Sequence, residues 1–193
     1  MKKVGTVAII PARGGSKRLP NKNIYSIFGK PLIFYAIEAC KKAKNIDRVF
    51  VSTEDKDIRT VSKKFGAEII DRPDYLAADN IWTQEVLKHA VLDIASRGIK
   101  FDLVARIQAN SPEVRPEKID EAIKKLVGHN LWEVFSVDKD GFEDGAIHIL
   151  RRNVVFQNAL SVYRGVIFTD YIDIHTKEDI KKVEKKWGKK LTK

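Results

Sequence analysis

Short apolar runs alternate with amphipathic stretches through the first two thirds of this 193-residue chain, and that alternation narrows the fold more than any other feature. Val4–Ile10, Arg48–Ser52, Glu68–Ile70 and Leu103–Ile107 are short runs bounded by polar residues, the pattern of buried strands. The stretches between them have helical spacing. Pro31 opens LIFYAIEACKKA; Ile58, Val61 and Phe65 share a face in Asp55–Phe65 before Gly66; Val86, Leu87, Ala90, Val91 and Ile94 share one in Thr83–Arg97 before Gly98. Pro116–Leu126 reads as a further helix. Strands at Glu133–Val137, Ala146–Leu150 and Val166–Thr169 follow, and Thr176 caps a last helix that runs to about Trp187. Alternating strands and helices predict right-handed βαβ units, hence a three-layer α/β/α, Rossmann-like arrangement with a mainly parallel, mixed sheet. With no repeat, low-complexity tract or linker, residues 1–193 read as one domain.

In such a sheet, ligands bind beyond the carboxyl ends of the strands. Two loops lie there, residues 11–23 and Gln108–Arg115. The charge distribution singles out the first. The chain carries a net +10, but residues 1–37 hold seven Lys or Arg and no acid, and residues 177–193 hold eight Lys against three acids. The stretch between is nearly neutral. A basic zone on a glycine-bearing loop suggests an anionic ligand, whereas the lysine-rich tail reads as a solvated helix face. No apolar run reaches the ~18 residues of a membrane helix, and Val4–Pro11 is too short for a signal-peptide core, so a cytoplasmic protein is expected. The single cysteine, Cys40, excludes an internal disulfide and reads as a buried small hydrophobe.

The loop itself is Pro11-Ala12-Arg13-Gly14-Gly15-Ser16-Lys17-Arg18-Leu19-Pro20-Asn21-Lys22-Asn23. Gly14 and Gly15 allow a positive φ and a close backbone approach to a ligand, and successive N–H groups can form an anion-binding concavity. Arg13 offers a planar fork to a phosphate; Lys17, Arg18 and Lys22 add charge. The pattern is neither a Walker A loop nor a dinucleotide fingerprint. From the residues alone it reads either as a phosphate cradle or as a solvated basic turn.

The motifs taken together are more specific. IIPARGGSKRLPNKNI, then Gly29-Lys30-Pro31-Leu32, Val49–Asp55, Arg72-Pro73 with Leu76-Ala77-Ala78-Asp79, Ile107–Pro112, Asp144-Gly145-Ala146-Ile147 and Ile172–Thr176 resemble, in order, the motifs of the acylneuraminate cytidylyltransferase family. The resemblance implies a nucleotidyltransferase that moves CMP from CTP onto an acidic, sialic-acid-like sugar and releases pyrophosphate. It implies that Arg13 and the backbone of Gly14, Gly15, Ser16 and Lys17 hold the triphosphate. Lys22 and Asn23 would sit near the reacting phosphate and ribose; Arg72, Thr83 and Gln108 would seat the nucleotide. Arg13, Lys22 and Asp173 would carry the chemistry, and Asp173 would bind Mg²⁺. Other readings are a nucleotide-binding relative with little catalysis and a non-specific nucleic-acid binder, the latter without a recognisable nucleic-acid signature.

Three departures bear on that carry-over. His175 stands where the family has a second metal carboxylate. Asp173 and His175 are two apart, so in an extended segment both face one way, and an imidazole would suit Mn²⁺. Phe142-Glu143-Asp144 replaces the family's R-P-N, so acids fall where a negative sugar would approach. Only four residues, 138–141, join Val137 to Phe142, which shortens the region that normally supplies sugar contacts and homodimer surface.

Overall fold

A computed structural model describes residues 4–159 and 161–191. Strand β1 (Thr6–Pro11) leads through the basic loop, a 3-10 turn at Lys22–Ile24 and a small hairpin, β2 (Ser26–Ile27) and β3 (Lys30–Pro31), into helix α1 (Leu32–Lys42). Then come β4 (Arg48–Thr53), α2 (Lys56–Lys64), β5 (Glu68–Asp71), a 3-10 turn at Asp74–Ala77, α3 (Thr83–Ser96), β6 (Leu103–Ile107) and α4 (Pro116–Gly128). Strands β7 (Glu133–Val137), β8 (Glu143–Arg151) and β9 (Arg164–Phe168) and helix α5 (Lys177–Leu191) complete the chain. Thr192 and Lys193, the end of the lysine-rich tail, lie outside the described residues, as do residues 1–3.

The main sheet has the order β5-β4-β1-β6-β8-β7-β9. Its first four strands are parallel, β8 runs antiparallel to both β6 and β7, and β9 pairs parallel with β7. The expected mixed, mainly parallel α/β/α architecture is therefore present. Helices α1, α2 and α4 cover one face through Ala36, Ile37, Ile58, Ile119 and Leu126. Helix α3 covers the other through Leu87, Ala90, Val91 and Ile94, packed on Val7, Ile9, Phe50 and Val104. Both faces of β1 are thus buried, which is why its sequence is a continuous apolar run. Cys40 is fully buried, and that burial pushes its thiol upward, away from reactivity.

A third, smaller core was not anticipated from the sequence. Leu19 of the basic loop, Ile27, Leu32, Ile174, Ile180 and Val183 pack together. The β2–β3 turn places Phe28 and Gly29 at φ 49° and 73°, the paired positive angles of a tight hairpin. Phe28 is an unusual residue there, and its ring stacks on Trp187 with centroids 4.9 Å apart. Thr176 caps α5 as expected. Its hydroxyl accepts from the Asp179 N–H, while the Asp179 carboxylate accepts from the N–H groups of His175 and Thr176, a reciprocal capping box.

Because β8 runs backwards, its beginning lies at the same end as the carboxyl ends of β1, β4, β5, β6 and β9. Loops 12–23, 54–55, 72–82, 108–115 and 169–176 converge there with residues 143–146, and they build the site.

Candidate functional site

Two adjoining cavities open at that end. One, of about 380 Å³, is lined by Arg13, Ser16, Lys17, Arg18, Lys22 and Asn23 of the basic loop, together with Asp79, Asn110 and His175. The next, of about 280 Å³, shares Arg13, Asp79 and Asn110 with it and adds Arg72, Thr83, Arg106 and Gln108. Of the residues expected to seat a nucleotide, Arg13, Ser16, Lys17, Lys22, Asn23, Arg72, Thr83 and Gln108 are thereby brought into one connected space. Gly15 adopts φ 50°, with nothing within 4 Å of where a Cβ would be.

Gly14 departs from expectation. Its N–H donates to Glu54 Oε1 at 2.7 Å, so it is engaged by a side chain of the protein rather than turned to the cavity. A Cβ here would meet Asp55 Oδ2 at 2.7 Å, so glycine is required by close packing against the start of α2. The loop is anchored from below in other ways. Asn23 donates to the Arg13 carbonyl at 2.9 Å, and Ala12 N–H donates to the Ser52 carbonyl at 3.0 Å. Arg72 is buried; it donates to the Ser52 carbonyl at 2.5 Å and faces Glu54 at 3.8 Å. Arg72 therefore braces β4 and the loop it carries as well as lining the cavity.

Asp173 lies in the wall below. Its carboxylate accepts from Gln108 Nε2 at 2.7 Å and from the Ser111 hydroxyl. Burial holds this carboxyl above its usual range, against the Ser111 hydrogen bond; Asp144 adds to the rise, and Lys22 and Arg106 oppose it. Burial also lowers Lys22, while the charge of Asp173 raises it. Lys22 and Asp173 are thus a facing pair of opposite sign within the site.

His175 has different company from Asp173. Its Nδ1 lies 3.2 Å from an Arg18 guanidinium nitrogen, and burial together with Lys22 and Arg18 lowers its affinity for a proton. Among the described residues there is no group of three or more His, Cys, Asp and Glu placed to hold a metal.

Asp144 corrects a sequence expectation. It does not confront an incoming anion: its carboxylate turns inward, accepting from the hydroxyls of Ser136 and Thr169 and from Ala146 N–H at 2.9 Å. It ties β7, β8 and the end of β9 together, and that bracing lets β8 start at Glu143 rather than at Ala146.

A third cavity, of about 290 Å³, joins the second through Thr83 and Arg106. Sequence reasoning missed its residues. Glu133, on β7, is clamped between His148 Nε2 at 2.8 Å and Arg164 Nε at 3.0 Å. Burial alone would raise the Glu133 carboxyl, but the hydrogen bond and charge of His148 and the charge of Arg164 prevail and hold it below the usual range. Arg106 divides the two cavities, its side chain only 11% exposed, donating to Gln108 Oε1 at 3.3 Å and the Gly145 carbonyl at 3.0 Å. Leu87, Leu150 and Val154 supply an apolar floor, and the buried Ser161 hydroxyl has no hydrogen-bond partner among the described residues. Single charged residues on different strands carry no spacing signal, so only the sheet order reveals this group.

Arg151 and Arg152 lie at the opposite end of the sheet, where Arg151 donates to the Leu131 carbonyl and Arg152 rests over Phe101. Trp82 is 82% exposed between two cavity-lining residues, Ile81 and Thr83. No helix among the described residues is long and apolar enough to cross a membrane.

Comparison with known proteins bears on the family and the fold. The family described as cytidylyltransferase matches residues 7–143. The N-acylneuraminate cytidylyltransferase of Oncorhynchus mykiss is 35% identical over 67% of this chain and 29% of its own length. The CMP-N,N'-diacetyllegionaminic acid synthase of Legionella pneumophila is 37% identical over 66% of this chain and 56% of its own. The matched part is thus little more than half of such relatives, or less. Among solved structures, a CMP:2-keto-3-deoxy-manno-octonic acid synthetase complexed with CTP superposes with a TM-score of 0.79 at 17% identity, covering 96% of this chain and 99% of that one.

Proposed function

The chain belongs to the cytidylyltransferase family, and from that premise we propose that it transfers a cytidylyl group from CTP to a hydroxyl of an acidic sugar. The observation that carries this reading is the convergence of Arg13, Lys17, Lys22, Arg72 and Gln108 on two connected cavities, with Asp173 beneath them.

In this reading, Arg13 and Lys17 hold the outer phosphates and Lys22 stands beside the α-phosphate. The sugar hydroxyl gives up its proton to solvent as its oxygen forms a bond to the α-phosphorus. The bond from that phosphorus to the bridging oxygen breaks, and pyrophosphate leaves with the electron pair. Such a reaction depends on alignment and on neutralising charge more than on a covalent intermediate. Lys22 supplies positive charge where it is partly shielded from water, and hence less weakened by solvent.

Mg²⁺ would be held by Asp173. The carboxylate is a hard oxygen donor, and it retains acceptor capacity beyond the bonds from Gln108 and Ser111. When bound, the ion would neutralise phosphate charge and orient the α-phosphate. His175, turned to Arg18, is left out of this set, which favours Mg²⁺ over Mn²⁺.

The cavity around Glu133, His148 and Arg164 is the acceptor side. It adjoins the nucleotide cavity at Arg106, and its hydroxyl- and carboxylate-bearing walls suit a polyhydroxylated body. Calorimetry with CTP against ATP, GTP and UTP tests the nucleotide half, and pyrophosphate release with N-acetylneuraminate or 3-deoxy-manno-octulosonate tests the acceptor half. Selective CTP binding, weakened about 100-fold in Arg13→Ala, is expected. Failure of every triphosphate to bind would overturn the reading.

A further inference from the structure

Two cations of the basic loop are already bridged by an acid of the protein. The Asp79 carboxylate lies 2.6 Å from the Arg13 guanidinium through one oxygen and 2.5 Å from Lys17 Nζ through the other. It reaches them from the segment after the 3-10 turn Asp74–Ala77, and Arg13 grips that segment again by donating to the Ala77 carbonyl at 3.0 Å. Asp79 lines both the loop cavity and the one beside it. The other two cations of the loop face different groups, Arg18 the His175 ring and Lys22 the Asp173 carboxylate. The carboxylate therefore sits between the two cations that the proposed function assigns to the outer phosphates, with its two oxygens placed as two phosphate oxygens would be.

We propose that Asp79 is an internal competitor for the polyphosphate, and that this competition makes it a specificity-determining residue. A ligand can take Arg13 and Lys17 only by displacing the carboxylate from both. One phosphate group exchanges for one carboxylate with little net gain. Two or three linked phosphates bring enough charge to span both cations and reach Lys22 as well. Asp79 thus discriminates against monophosphates, and its return to Arg13 and Lys17 favours departure of pyrophosphate. The Arg13 pair is half-exposed and Lys17 is 80% exposed, so a polyphosphate can reach and displace both. The inference rests on reading Arg13 and Lys17 as phosphate ligands, but it does not require the nucleoside to be cytidine.

The test uses Asp79→Asn, which keeps shape and removes charge at a half-exposed position. Calorimetric affinities for inorganic tripolyphosphate, pyrophosphate and phosphate are measured at fixed ionic strength on both proteins, with CTP in parallel. Asp79→Asn is expected to bind tripolyphosphate and pyrophosphate about ten-fold more tightly. Its preference for tripolyphosphate over phosphate is expected to narrow, and adding Lys17→Ala to be expected to erase most of the gain. Equal or weaker tripolyphosphate binding by Asp79→Asn would overturn the proposal, because Asp79 would then be organising the cations rather than competing for them. A gain with tripolyphosphate while CTP binds to neither protein would uphold the competition and sink the cytidylyl reading. CTP binding and transfer without any gain in Asp79→Asn would do the reverse.

Discussion

The parallel half of the sheet and its mixed half build the site in different ways. In the half made by β5, β4, β1 and β6, each strand delivers its functional residues in the loop that follows it: Arg13 to Asn23 after β1, Glu54 and Asp55 after β4, Arg72 after β5, Gln108 to Ser111 after β6. In the half made by β8, β7 and β9, side chains on the strands themselves meet across the sheet, as Glu133 meets His148 and Arg164. Loops at strand ends can be read as contiguous motifs. Cross-strand groups exist only once the register is set.

Five substitutions probe this contrast. The largest effect is expected where the halves meet, at Asp173. Asp173→Asn should lower kcat about 100-fold, because the Mg²⁺ that Asp173 would hold neutralises phosphate charge. His175→Ala should change it less than about two-fold, since the ring is not among the groups that face Asp173. Comparable losses in both variants, measured by pyrophosphate release in Mg²⁺ and in Mn²⁺, would instead make His175 a partner of Asp173.

Asp144→Ala comes next and tests the bracing of the mixed half. It removes the acceptor of the Thr169 hydroxyl and the Ala146 N–H and leaves Ser136 only its bonds to Ile147, so chemical denaturation should show a loss of about 2–3 kcal/mol. A stability unchanged from wild type would mean that β7, β8 and β9 hold their register without it.

Glu133→Gln is expected to raise the acceptor KM about ten-fold while leaving CTP affinity intact, as removal of one charged hydrogen-bonding group would. If CTP affinity falls instead, the third cavity belongs to the nucleotide and the division into halves is wrong.

The smallest effect concerns the α5 cap. The Asp179 carboxyl, opposed by burial but favoured by Lys182 and the N–H groups of His175 and Thr176, is held at about 2 rather than 3.8. A depressed carboxylate stabilises the fold above its ordinary value, and that stability is lost as pH falls toward 2. Asp179→Asn should therefore cost about 1 kcal/mol near neutrality and nothing near pH 2, read from melting curves across that range. A cost that persists at pH 2 would place the effect in packing rather than in charge.

Most of the fold was legible because both periodicities are strong. β6 and β7 occupy the expected residues, and Asp55 and Thr176 cap their helices through side chains. What escaped notice has physical reasons. The Phe28-Gly29 hairpin depends on a left-handed phenylalanine, which no propensity favours, and it is tolerated through a ring stack with a residue far along the chain. In the site, the cations were visible as a run, but the contacts that Glu54 and Asp79 make with that loop were not. Glu54 and Asp79 lie 40 and more residues from the groups they hold, and an isolated acid carries no periodic signal. Ser111 was within a quoted motif, yet its bond to Asp173 depends on the approach of the segment after β9.

The third core also has a temporal meaning. Leu19 of the basic loop is buried against Ile174, Ile180 and Val183, and Phe28 stacks on Trp187. During synthesis Leu19 emerges more than 150 residues before Ile174, so the apolar anchor of the basic loop forms only after the segment beyond β9 has been made. Truncation within α5 would therefore be felt far away in sequence, in the loop after β1.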